Sequence, residues 1–246
     1  MSASRKPAAV LGIDTATAES AVAVARGEEL VFERAAEPGA DGRPRHAAAL
    51  LAEVEAALEA AGGWAGVGLI AVGVGPGTFT GLRIGIATAR ALAQGRGLPI
   101  APVSSLAALA LGIDSADAQP DRPRLALIDA RRGEVFGALH EADSSVVWEP
   151  FVAAPESVGQ RVASLSRAPL AAGDGSLRFR AEFEAAGVEV LPDADPAHRM
   201  AARHVCTLAA EVTPGRPEQV NPIYLRRPDA EVWRERGHRN PDDGRR

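Results

Sequence analysis

Leu125-Ala126-Leu127-Ile128-Asp129 opens the second half of this 246-residue chain in the way that Ala8-Ala9-Val10-Leu11-Gly12-Ile13-Asp14 opens the first. Each is a compact apolar run closed by an aspartate, the pattern of a buried strand. A short polar turn follows each, Asp14-Thr15-Ala16-Thr17 in one case and Ala130-Arg131-Arg132-Gly133 in the other. Second strands come next, over 20–26 and 134–139, then third strands at Leu30-Val31-Phe32 and Val146-Val147-Trp148. Three strands joined by tight turns make a meander. The recurrence half a chain apart reads as an internal duplication of a βββα unit. Apolar strands ending in Asp are common in α/β proteins, so chance recurrence is the competing reading.

After the first meander, His46–Ala61 carries Leu50, Leu51, Val54 and Leu58 at helical spacing, stopped by Gly62-Gly63. A buried strand is expected over 69–74. A glycine loop follows, Gly75-Pro76-Gly77-Thr78-Phe79-Thr80-Gly81, and it feeds a helix over 83–95. That helix is built from small residues on several faces, among them Gly85, Ala87, Ala89, Ala91 and Ala93. Small residues let helices approach closely. They serve equally as a tightly packed core helix or as a subunit interface. Ser104 or Ser105 caps a further helix ending near Gly112, and 114–123 reads as a linker. In the second half, helices are expected over 155–165, 176–186 and 198–212, with strands at 169–172 and 188–191. Pro214, Pro217 and Pro222 then interrupt regularity. Ile223-Tyr224-Leu225 can form a short returning strand.

Composition narrows the function. Apolar residues make up 46% of the chain, enough for a real core, and the net charge of -5 gives no global pull toward nucleic acid or an anionic membrane. Cys206 is the only cysteine, which excludes a disulfide framework and a cysteine-rich zinc site. A reducing cytoplasm fits. The first seven residues are polar, without the apolar core of a signal peptide. No run approaches the roughly 18 apolar residues of a membrane helix.

Asp14 and Thr15 at a strand end can orient a phosphate or a metal-bound water. They also fit a turn that satisfies its own backbone. Gly75 and Gly77 permit close backbone approach. Thr78 and Thr80 can cap the next helix, whose first N–H groups suit an anion. A rigid strand-to-helix connection is the plainer alternative. The loop is neither a Walker motif nor GxGxxG. Arg131 and Arg132 can meet a phosphate or a carboxylate, or merely decorate a turn. The same holds for Gly173-Asp174-Gly175-Ser176. The histidines His46, His140, His198, His204 and His238 form no HxxxH or HExxH pair, so no metal ligands are assigned. No GxSxG elbow is present.

Four segments taken together resemble the TsaB (YeaZ) family, subunits of the bacterial complex that makes threonylcarbamoyladenosine in tRNA. They are 11–17 (LGIDTAT), 73–85 (GVGPGTFTGLRIG), 127–136 (LIDARRGEVF) and 222–226 (PIYLR). The resemblance spans about 8–232, and the long second segment is its most specific part. It implies an α/β, duplicated actin-like ATPase (ASKHA) fold with two lobes, each a mixed sheet flanked by helices. The lobes are then 1–104, completed by 218–232, and 105–217, with 233–246 a charged tail. It implies a non-catalytic subunit that scaffolds the catalytic subunit TsaD, with the ATPase TsaE joining. Residues His46, Leu50, Val54, Thr80, Arg83, Ala87, Ala89, Arg90 and Ala91 match the family's pairing helices, which also serve homodimers. No tightly bound cofactor is expected, though ATP or ADP could sit at the joint with TsaD, and tRNA is reached only through the complex. Two other readings stay open. One is an independent nucleotide-using kinase or ATPase of the same fold, served by Asp14, Thr15 and the glycine loop. The weaker one is a peptidase.

Overall fold

The computed structural model describes residues 8–39, 44–114 and 121–226. The expected completion of the first lobe beyond 226, the tail 233–246 and the middle of the 114–123 linker lie outside the described residues.

Two five-stranded mixed sheets form the molecule. The first holds β1 (Ala9–Asp14), β2 (Ser20–Arg26), β3 (Glu29–Ala36), β4 (Val67–Gly73) and β5 (Ile100–Val103), in the order β3-β2-β1-β4-β5. The second holds β6 (Arg124–Arg131), β7 (Glu134–His140), β8 (Val146–Ala153), β9 (Leu170–Ala172) and β10 (Glu189–Val190), in the order β8-β7-β6-β9-β10. The two orders are the same. In each sheet the first strand pairs antiparallel with the second and parallel with the fourth. The duplication read from two apolar runs is thus a duplication of topology, and the fold is the actin-like one. Central β1 and β6 are buried almost throughout, as strands covered on both faces must be. The edge strands β3 and β8 carry exposed charge at Glu29 and Glu149.

The helices are α1 (His46–Ala61), α2 (Phe79–Arg96), α3 (Ser105–Asp114), α4 (Pro155–Val162), α5 (Asp174–Arg178), α6 (Arg180–Ala185) and α7 (Ala202–Leu208). Gly62 closes α1 in the left-handed region at φ 79°, donating its N–H to Glu59 O. The last helix of each repeat crosses over. Helix α3 packs on β6, β7 and β9 of the second sheet, and α7 packs on β1 and β2 of the first. Gly12 makes the second crossing possible, since a Cβ there would stand 2.6 Å from Cys206 Sγ and 2.8 Å from Ala202 O. The chain therefore returns to the first lobe at α7, well before 218.

Several element boundaries differ from expectation for local reasons. Helix α2 begins at Phe79, four residues before Arg83. The 198–212 helix is a single 3₁₀ turn at Pro196–His198, then extended backbone, then α7. The buried His198 ring is tied to Gly173 N–H and to the Leu191 and Pro192 carbonyls in the second lobe. The backbone must extend to reach the first lobe from there. The 176–186 helix breaks into α5 and α6 at Phe179, where φ is -118° and ψ is 33°. Ile223-Tyr224-Leu225 forms no strand; Ile223 N–H alone reaches the sheet end, at Val74 O (2.8 Å).

Candidate functional site

Five of the six residues singled out as phosphate contacts, Asp14, Thr15, Gly75, Gly77 and Thr78, meet at the C-terminal end of β1 and β4. The space between them is filled by the chain itself. Asp14 is 1% exposed. Its Oδ1 accepts the Ala16 N–H (2.7 Å) and its Oδ2 accepts the Ser105 hydroxyl (2.7 Å). Burial pushes its carboxyl up to about 6, against the pull of those two donors. Thr15 donates its hydroxyl to Gly81 O (2.8 Å). The glycine loop lies directly on this turn. A Cβ on Gly77 would stand 2.5 Å from Ala16 O, and Cβ atoms on Gly81 and Gly85 would run into Thr15 O and Thr15 Oγ1. Gly75, at φ 100°, donates its N–H to Ser105 Oγ (3.2 Å), and its carbonyl accepts the Ser105 N–H (2.9 Å). Thr78 donates its N–H to Ala16 O (2.7 Å), and its own buried hydroxyl has no partner among the described residues. The expected Thr78 side-chain cap is therefore absent from α2, and Thr80 is exposed. The amides of Gly75 and Thr78 are spent on the chain's own oxygens.

Arg131 belongs to the equivalent hairpin of the second lobe, where its guanidinium pairs with Asp129 (3.2 Å). Asp129 repeats the Asp14 turn, accepting Arg131 N–H (2.8 Å), and is further neutralised by Arg178 (3.2 Å). Asp174 caps β6 by accepting Asp129 N–H (2.9 Å), and burial raises its carboxyl above the ordinary range. Among the described residues no group of three acids, histidines or cysteines could hold a metal ion. No described helix is long and apolar enough to cross a membrane.

The candidate interface divides in two. Helix α2 turns Leu82, Gly85, Ile86, Ala89 and Ala93 inward, onto β4, and leaves Thr80, Arg83, Ala87 and Ala91 exposed. Arg90 is half-buried. Helix α1 buries His46, Leu50 and Val54 against β2 and β3, while Leu51 is 61% exposed beside exposed Ala47, Ala48 and Ala52. The expectation that His46, Leu50, Val54 and Ala89 face a partner is corrected here, because each fills the chain's own core. His46 bonds Thr17 O through Nε2 (3.1 Å), holding the head of α1 to the β1–β2 turn, and burial lowers its proton affinity. On α2 the outward stripe is Ala87 and Ala91, with Thr80 and Arg83 at its head; on the neighbouring α1 the exposed large apolar residue is Leu51.

Sequence reading missed three contributors. Ser105 reads as a helix cap, yet it closes the Asp14 turn from 91 residues away. Phe79 and Tyr224 enclose Arg83, whose guanidinium lies 3.7 Å from the Phe79 centroid and donates from Nε to Tyr224 Oη (3.0 Å). The 222–226 segment was a visible signal for Tyr224; nothing local pointed to Ser105.

Comparison with known proteins agrees with this architecture. A family model described as "TsaD: tRNA N6-adenosine threonylcarbamoyltransferase" matches residues 41–174. A protein of Escherichia coli named tRNA threonylcarbamoyladenosine biosynthesis protein TsaB is 35% identical over 167 residues, covering 65% of this chain and 71% of that one. An uncharacterized protein of Mycobacterium tuberculosis is 34% identical over 227 residues, covering 90% and 93% of the two chains. The solved structure of YeaZ from Pseudomonas aeruginosa superposes with a TM-score of 0.70 at 27% identity, covering 89% of this chain and all of that one. The matched strand orders of its two lobes and the likeness to these relatives show that the chain belongs to the TsaB (YeaZ) family.

Proposed function

We propose that this chain is a non-catalytic subunit of the machinery that makes threonylcarbamoyladenosine in tRNA, and that it docks on and activates the TsaD subunit, with the ATPase TsaE joining the assembly. Relatives named for threonylcarbamoyladenosine biosynthesis support the pathway. The observation that carries the subunit role is the contrast between two surfaces. The Asp14 turn and glycine loop are packed shut on each other. The outer stripe of α1 and α2, with Leu51 61% exposed, is open. An exposed apolar stripe beside a charged head suits a protein partner. The same stripe serves a homodimer when the partner is absent. In this reading ATP or ADP belongs at the joint with TsaD, and tRNA is held by the complex; a net charge of -5 supports that division.

The test is reconstitution. This chain, co-purified with the TsaD and TsaE of its own genome, is assayed for threonylcarbamoyladenosine in tRNA with and without the chain. The expected result is a stable pair and modification that depends on it. Full modification by TsaD and TsaE alone sinks the scaffold reading, and steady ATP turnover by the isolated chain replaces it with the kinase or ATPase reading.

A further inference from the structure

We propose that Arg83 is a preset anchor for a carboxylate on the partner subunit, held ready by Phe79 and by Tyr224 of the carboxy-terminal return segment. This rests on the reading that the α1–α2 face is the partner surface. Arg83 is exposed at the head of α2. Its guanidinium stacks on Phe79 one turn back, and its Nε is bonded to Tyr224 Oη. The Tyr224 ring closes the group at 5.2 Å from Phe79. Its two terminal amino groups make no ion pair or hydrogen bond among the described residues.

Tyr224 is itself tied down on both sides. Ile223 N–H donates to Val74 O in the first lobe (2.8 Å). Arg226 donates to Glu134 Oε2 (2.6 Å) and to Ala130 O (2.7 Å) in the second lobe. A free surface arginine loses several rotatable bonds of freedom when it binds. Here that ordering is already met in the monomer, which is how preorganisation raises affinity. The planar fork that remains matches a carboxylate with two parallel bonds. The surroundings select a protein over RNA. The next outward positions along α2, Ala87 and Ala91, are apolar, and the next cation along it, Arg90, is half-buried.

The experiment titrates the TsaD of the same genome onto the full chain by calorimetry at two salt concentrations. Arg83→Ala is expected to weaken binding about tenfold or more and to flatten its salt dependence. Arg83→Lys should recover little, because an ammonium cannot make the paired bonds. Tyr224→Phe, which removes one hydroxyl and keeps the ring, should weaken binding about threefold with no change in melting temperature. Leu51→Arg serves as the control for the face. If Leu51→Arg abolishes pairing while Arg83→Ala stays within about twofold of wild type, the face stands and the anchor is overturned. If neither weakens pairing, the partner surface itself is wrong. If Arg83→Ala lowers tRNA affinity of the complex and leaves subunit affinity unchanged, the ligand is a phosphate and the carboxylate anchor is overturned.

Discussion

The Ser105 hydroxyl donates to Asp14 Oδ2 across 2.7 Å, joining the first residue of α3 to the last residue of β1. That bond crosses from the helix over the second sheet to the central strand of the first. It fixes a carboxyl that is 1% exposed and whose pKa burial has raised from 3.8 to about 6. Between those two values the folded chain holds a proton that the unfolded chain has released. Stability from this group therefore falls as pH rises through that window, and the cost is complete above about pH 6. It amounts to about 3 kcal/mol at neutral pH. Asp14→Asn keeps an acceptor for Ala16 N–H and removes the charge. Urea denaturation should show the variant about 1–2 kcal/mol more stable at pH 7, less than the full cost because the Ser105 hydroxyl loses its acceptor, and no gain at pH 4. His204, lowered to about 4 by burial, titrates with the opposite sign and loses stability as pH falls from 6.5. The acid side of the Asn variant's profile should accordingly be steeper than wild type. An equal gain at both pH values would show that Asp14 is not ionising in the fold.

Gly81, at the end of the glycine loop, and Gly85, one turn further along α2, press on different atoms of one residue. A Cβ on Gly85 meets the Thr15 side-chain oxygen, whereas a Cβ on Gly81 meets the Thr15 carbonyl. Each alanine substitution should cost about 1–3 kcal/mol by overpacking. Thr15→Ala removes the hydroxyl and leaves the carbonyl. Combined with Gly85→Ala it should recover most of that cost, and combined with Gly81→Ala it should recover none. The double-mutant cycle is read from denaturation midpoints. Equal coupling for both pairs would mean the loop does not sit on Thr15 in this way.

What the sequence made legible was local. Leu11-Gly12-Ile13-Asp14 and Leu127-Ile128-Asp129 disclose a repeated strand because apolar run and terminal Asp lie in one stretch. The glycine loop was visible for the same reason. Its role depends on Thr15 and Ala16, some 60 residues earlier, so an open cradle and a packed elbow were indistinguishable until the chain closed on itself. Helix α2 failed differently. Past Ile86 its inward residues Ala89 and Ala93 and its outward residues Ala87 and Ala91 are all alanine, so hydrophobic periodicity had no contrast with which to separate Ala89 from Ala91. The crossing of α3 and α7 onto each other's sheets leaves no mark within either helix.

Ala89 and Ala91 now separate stability from pairing. Ala89 is 0% exposed against the first lobe's core, and an arginine there must bury a charge with no partner. Ala89→Arg should cost more than about 4 kcal/mol and yield little folded protein. Ala91 points outward. Ala91→Arg should leave the melting curve within about 0.5 kcal/mol of wild type, yet weaken pairing with TsaD or with a second copy of the chain. A folded Ala91→Arg variant that pairs normally would place the contact elsewhere on α2.

Cys206 reports on whether α7 stays on the first sheet. Burial pushes its thiol up to about 12, and its Sγ sits 3.5 Å from Val10 O and 3.8 Å from Ala23 O. A thiol so protonated and enclosed is a poor nucleophile, so native labelling by iodoacetamide at pH 8 requires α7 to lift away. Labelling should run at least about a thousandfold slower than in the denatured chain. Gly12→Ala places a methyl 2.6 Å from Sγ and 2.8 Å from Ala202 O, which α7 can accommodate only by moving off β1. That variant should label faster while amide exchange in β6 and β7 keeps its wild-type protection, since α7 covers the other sheet. Unchanged labelling in Gly12→Ala would show that the helix is held by contacts other than this approach. Faster exchange in both sheets would show that the two lobes open as one unit.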